Sequence, residues 1–145
     1  YEIRLSLVGS EMCIRDKGID EAKSFASSLT DNLYGFDFGP ILFKPTLSGG
    51  AQTFRQDKEG TLSYFVGQNP KYPKDTGFGL KYWRDVRFDT SSTFIEDTIA
   101  MWMGWVSFED KNGNVTKVDK SWGYKKDSKG NLKIILHHSS LPYKD

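Results

Sequence analysis

Two short clusters, DKNGN at residues 110–114 and DSKGN at residues 127–131, cut the second half of the chain into long runs rich in β-branched and aromatic residues. Each cluster combines an Asp that can accept from the backbone with a Gly suited to positive φ, the chemistry of a tight hairpin turn. The pattern predicts strands over residues 86–95, 98–108, 115–125 and 132–140, joined as an antiparallel run. The first half reads differently. Ile19, Ala22, Phe25, Ala26, Leu29 and Leu33 recur at intervals of three and four, which predicts an amphipathic helix over residues 17–33 that Asp16 or Asp20 can cap and Gly35 can end. A second, short helix is expected over residues 57–67, with Asp57 as its cap and Leu62, Phe65 and Val66 on one face. Between them the apolar run before Pro45, residues 40–46, reads as a short strand and LSGGAQTF as a loop; after the second helix the Pro- and Gly-containing stretch 69–79 reads as a loop or a broken turn of helix. Helices first and hairpin-linked strands after is an α+β arrangement, with helices on one face of a bent sheet.

The strand over 98–108 is apolar in both alternating sets. Ala100, Trp102, Val106 and Phe108 fall on one face, and Ile99, Met101, Met103 and Trp105 on the other. One face must cover the helices. The second either meets another subunit or is buried within the same chain, and the alternation alone leaves both open.

With 145 residues the chain has the length of one domain with a sizeable core. Twenty Lys and Arg against 19 Asp and Glu give a net charge of +1, so no charged footprint argues for nucleic acid or an anionic membrane. No apolar run has the length of a membrane span. Residues 1–16, YEIRLSLVGSEMCIRD, look like a translated sequencing-adapter read-through and are expected to be a non-native leader, leaving residues 17–145 as the domain. The other reading of the leader is a native strand, since EIRLSLV alternates polar and apolar residues. Its sole Cys, Cys13, lies in that leader, so from residue 17 onward there is no disulfide framework, thiolate zinc site or Cys nucleophile.

A catalytic zinc wants several His or Cys ligands converging on one point. The two His here are adjacent, His137 and His138, and adjacent residues of a strand face opposite ways. A protein-held metal is therefore not expected, although acidic loops leave room for a divalent ion such as zinc or manganese. The alternation puts His137 and Ser139 together on one face, where two polar side chains can serve a site or simply pair with each other in the core.

FKPT at residues 43–46, LSYFVG at 62–67, WRDVRF at 83–88 and HHSSLPY at 137–143 occur in this order. Together they resemble the iota class of carbonic anhydrases, a nuclear-transport-factor-2-like family related to the association domain of calmodulin-dependent kinase. The similarity runs from about residue 35 to 143, and HHSSLPY is its most specific part. It implies a cone-shaped, curved antiparallel sheet wrapped around N-terminal helices, paired into a homodimer through the sheet. It further implies reversible hydration of CO2 to bicarbonate with no cofactor, at a hydroxyl cluster of Thr46, Tyr64 and Ser139 beside His137. Plastid and periplasmic locations both accord with the resemblance, as does tandem repetition of such domains, and the leader stands where a targeting segment would be read.

CO2 is small and apolar and bicarbonate is an anion, so a pocket for both needs apolar walls and a few aimed donors. Phe38, Phe43, Phe65 and Trp83 are candidate walls. The proton acceptor is the open question: Ser and Thr do not take a proton from water unaided, Tyr64 has an ordinary pKa of about 10, and His137 alone titrates near neutrality. Tyr64 or His137 is expected to accept or relay the proton. The rival readings are a non-catalytic oligomerisation or ligand-binding module of the same fold, and an isomerase or dehydratase using the same pocket.

Overall fold

The computed structural model describes residues 18–145. The leader, with Cys13 and the proposed Asp16 cap, lies outside the described residues. Helix α1 spans Ile19–Leu33 and α2 spans Lys58–Val66; strand β1 is Leu42–Lys44, β2 Trp83–Glu96, β3 Ile99–Asp110, β4 Val115–Lys126 and β5 Leu132–Ser140. The five strands form one sheet in the order β1-β5-β4-β3-β2.

Both DxxGN clusters are the expected hairpins. Asp110 Oδ1 accepts from the backbone of Asn112 and Asn114, Asp127 Oδ1 from Lys129 and Asn131, and Gly113 and Gly130 supply φ near +80°. Asp57 caps α2, its Oδ1 accepting from Gly60 N at 2.8 Å. Helix α2 differs from the one-faced helix expected, because Gly60, Thr61, Ser63, Tyr64, Phe65 and Val66 are all buried and Leu62 is only half so. It is packed on nearly every side, which is why its polar residues find internal partners.

Two features depart from a plain antiparallel run. First, β1 joins the edge of the sheet parallel to β5, with Phe43 opposite His137 and Lys44 opposite His138. Second, Gly123 pairs with Leu136 while Tyr124 pairs with Ile134, which leaves Ile135 as an extra residue in β5. This β-bulge resets the alternation. Ile134, His137 and Ser139 all face the core, whereas strict alternation from Ile134 would have sent His137 outward. A glycine is needed opposite, since a Cβ at 123 would lie 3.0 Å from that of Leu136. Further register shifts in β2, at 83/85 and 90/92, add to the bend.

The concave face buries Val106, Phe108, Val118, Trp122 and Ile134 against Ala22 and Ala26 of α1 and Phe65 and Val66 of α2. On β3 the two apolar faces part company. Trp102, Val106 and Phe108 are buried, whereas Ile99, Met101 and Met103 are 39%, 44% and 57% exposed. Burial of both faces within one chain is thereby excluded.

Candidate active site

The parallel β1–β5 edge brings FKPT against HHSS. Just past β1, Thr46 Oγ1 lies 2.5 Å from Ser139 Oγ, a hydroxyl pair in which either can donate. Both side chains are buried, Ser139 almost completely. Lys44 Nζ donates to the Ser139 carbonyl at 2.9 Å and fixes the same edge from outside; partial burial lowers the pKa of that lysine, with Asp119 opposing the shift.

Tyr64 enters from α2. Its ring stacks on Phe78 at 5.5 Å between centroids and meets Phe43 edge-on at 5.9 Å. Phe43 lies at the centre, since it also stacks on Phe65 and, at 4.6 Å, on His137. Of the candidate walls, then, Phe43 and Phe65 flank Tyr64 directly. Trp83 sits one layer back, packed on Phe78 and Phe108, with its Nε1 donating to the Phe78 carbonyl. Phe38 is not a wall: it is 43% exposed at the surface, under the Lys125 ammonium. A cavity of 20 Å³, room for about one water, lies against Tyr64, Leu47, Phe78 and the 74–76 segment.

His137 is 2% exposed and has two partners. Its Nδ1 is 2.8 Å from Tyr34 Oη and its Nε2 is 3.0 Å from Lys120 Nζ. Burial first, then the charge of Lys120 and of His138, hold its pKa well below the usual 6.5. The imidazole is accordingly neutral. With Lys120 as an ammonium, Nε2 accepts from it and Nδ1–H donates to Tyr34.

Tyr34 and Lys120 escaped the sequence reading. Lys120 carried a signal, because it shares a strand face with Val118 and Trp122 and so stands on the apolar side of β4. Tyr34 carried none; it is the residue that ends α1, and only the tertiary fold brings it to His137. A further device underpins Tyr64. The next residue toward the N-terminus, Ser63, donates to Asp75, which is held bidentately by the buried Arg55.

This geometry can be set beside known proteins. The family model of the metal-independent carbonic anhydrases matches residues 10–141. This chain belongs to that family. A metal-independent carbonic anhydrase of Nostoc sp. (strain PCC 7120) is 48% identical over 127 residues, which are 88% of this chain and 62% of the relative, so the chain spans less than two thirds of that protein. The crystal structure of a cyanobacterial iota-carbonic anhydrase complexed with bicarbonate superposes with a TM-score of 0.95 at 42% identity, covering 99% of this chain and 90% of the other. A nuclear-transport-factor-2-like protein of unknown function from Pseudomonas putida KT2440 has a TM-score of 0.58 at 13% identity, covers 99% of this chain and 86% of its own, and speaks for the fold alone. Membership fits the donor set of the site: among the described residues no three His, Cys, Asp or Glu gather as a metal would require, and Thr46, Ser139 and Tyr64 offer hydroxyls instead.

Proposed function

We propose that this chain catalyses the reversible hydration of CO2 to bicarbonate with the hydroxyls of Thr46, Tyr64 and Ser139, without a bound metal. The observation that carries the reading is the buried Thr46–Ser139 hydroxyl pair at 2.5 Å, set beside an aromatic-walled interior in a member of this family. Phe43 and Phe65 provide apolar contact for CO2, and the hydroxyls provide donors and acceptors for water and for the oxygens as charge develops.

A hydroxyl relay removes the need for a strong base. The water oxygen forms a bond to carbon while the water gives a proton to Ser139 Oγ. Ser139 passes its own proton to Thr46, and Thr46 delivers its proton to a substrate oxygen. Each hydroxyl ends as it began. Tyr64 donates a hydrogen bond to the other oxygen, and the carbonic acid formed gives a proton to a solvent water before it leaves, so that bicarbonate is the product the site holds. His137 keeps neutral throughout, since burial and Lys120 both disfavour its imidazolium. It orients Phe43 and the Ser139 end of β5 and is not a store for the proton.

The exposed stripe of Phe94, Ile99, Met101 and Met103 on the convex face supports a homodimer through the sheet. Phe94 pairs with Met101 across β2 and β3, and Ile99 and Met103 flank Met101 on the same face of β3, opposite Glu96 and Ser92.

Stopped-flow hydration of CO2 in chelator-treated buffer, with wild type beside Ser139→Ala and Tyr64→Phe, tests the proposal. Activity that survives chelation and drops at least tenfold in each variant is the expected result. Equal activity in wild type and variants would refute the site, and a folded but inactive wild type would favour a binding module of the same fold.

A further inference from the structure

We infer that Lys120 is the anion-binding residue of this site, the group that distinguishes bicarbonate from CO2; the inference rests on the hydration reading above. Lys120 projects from β4 directly opposite Ser139 in the β4–β5 register and is only 4% exposed. Residues opposite one another on a strand pair have Cβ atoms about 5 Å apart, so its Nζ works at the same wall as the Ser139–Thr46 pair. That Nζ lies 3.0 Å from His137 Nε2, 5.4 Å from the centroid of the Trp122 ring and 5.6 Å from that of Phe108.

Three features separate this arrangement from an incidental buried lysine. The ammonium is aimed: Nε2 of His137 receives one N–H, and Tyr34 holds the opposite ring nitrogen at 2.8 Å, so the imidazole cannot turn away. It sits in a low-dielectric, ring-lined interior, where a charge acts on a substrate far more strongly than in water. It shares a sheet face with the hydroxyl pair, because Ser139 is its strand partner, and Phe108, which its Nζ overlies, leads through Phe78 to Tyr64. Hydration converts a neutral molecule into an anion, so a fixed positive charge there stabilises the transition state and bicarbonate and leaves CO2 nearly untouched. Lys120 moves no proton in this scheme, and the hydroxyl relay is unchanged.

The test uses the full chain with Lys120→Met, which keeps the length and apolar stem, and Lys120→Arg, which keeps the charge. Bicarbonate affinity is read by 13C line broadening, and kinetics are followed in both directions. Lys120→Met is expected to weaken bicarbonate binding at least tenfold, with the KM for CO2 within twofold of wild type. The ratio kcat/KM should fall by one common factor in hydration and dehydration, as the fixed equilibrium demands. Lys120→Arg should recover most of the bicarbonate affinity. A folded Lys120→Met that binds bicarbonate like wild type would overturn the assignment while leaving the hydration reading intact, whereas a wild type that neither hydrates CO2 nor binds bicarbonate would defeat that reading first. Should Lys120→Met not fold, competition on the wild type decides: nitrate displacing bicarbonate is expected of a site with a fixed cation, and a site indifferent to nitrate contradicts it.

Discussion

Asp75→Asn probes the clamp that holds Tyr64 in place. In the folded chain Asp75 accepts from Arg55 Nη1 and Nη2 at 2.7 and 2.8 Å and from Ser63 Oγ at 2.6 Å, while Arg55 also donates to the carbonyls of Gln52 and Gly60. Both partners are nearly sealed, at 3% and 5% exposure, and Tyr72 covers the guanidinium at 4.5 Å. Removing one member of a buried ion pair strands the other, a cost of about 3–5 kcal/mol. Asn keeps one acceptor oxygen and nearly the same shape, so the lower end, about 3 kcal/mol, applies. For a chain of 145 residues that corresponds to a Tm lower by roughly 9 °C, at about 3 °C per kcal/mol. Urea unfolding followed by Trp fluorescence measures the first figure and a thermal scan the second. The double variant Arg55→Met, Asp75→Leu should recover most of the loss, because no charge is then left buried. A loss below about 1 kcal/mol in Asp75→Asn, or a double variant weaker than the single, would refute the reasoning.

Thr46→Val and Ser139→Ala should each reduce kcat/KM by about a hundredfold, and the double variant by scarcely more, because a relay broken once is broken; stopped-flow kinetics on all three variants check this. Since His137 resists protonation when folded but takes a proton near its ordinary 6.5 when unfolded, stability is complete above that pH. It falls as the pH drops from about 6.5 toward the depressed folded value, by up to about 1.4 kcal/mol per pH unit. Urea midpoints from pH 7.5 to 5 should show the slope in wild type and a shallower one in His137→Gln. Met101→Glu with Met103→Glu should convert a dimer to a monomer in light scattering while the Tm stays within a few degrees, as both side chains are exposed in the single chain.

The features legible in the sequence were those written locally. DKNGN and DSKGN carry their turn geometry in five residues each, and Asp57 lies at its cap position, so the hairpins and α2 could be read without tertiary information. The pairing of Thr46 with Ser139 was reached through resemblance to a family, since nothing in the spacing of two residues 93 apart indicates a 2.5 Å contact. The bulge at Ile135 was hidden because its cause, close approach of Gly123 to Leu136, lies on a neighbouring strand. The parallel attachment of β1 was hidden for a related reason: three residues contain no record of which edge they will join. Lys120 could have been found. A cation in the apolar set Val118, Lys120, Trp122 conflicts with the pattern around it, and such conflicts mark functional positions.

The most direct test of a hydroxyl-based hydration site is loss of 18O label from bicarbonate, followed by mass spectrometry on the full chain after its metal content has been brought to far below one per chain. The account predicts that wild type speeds label loss well above the buffer rate without added metal, and that Ser139→Ala returns it toward that rate. Exchange that vanishes on metal removal and returns with zinc or manganese would contradict it.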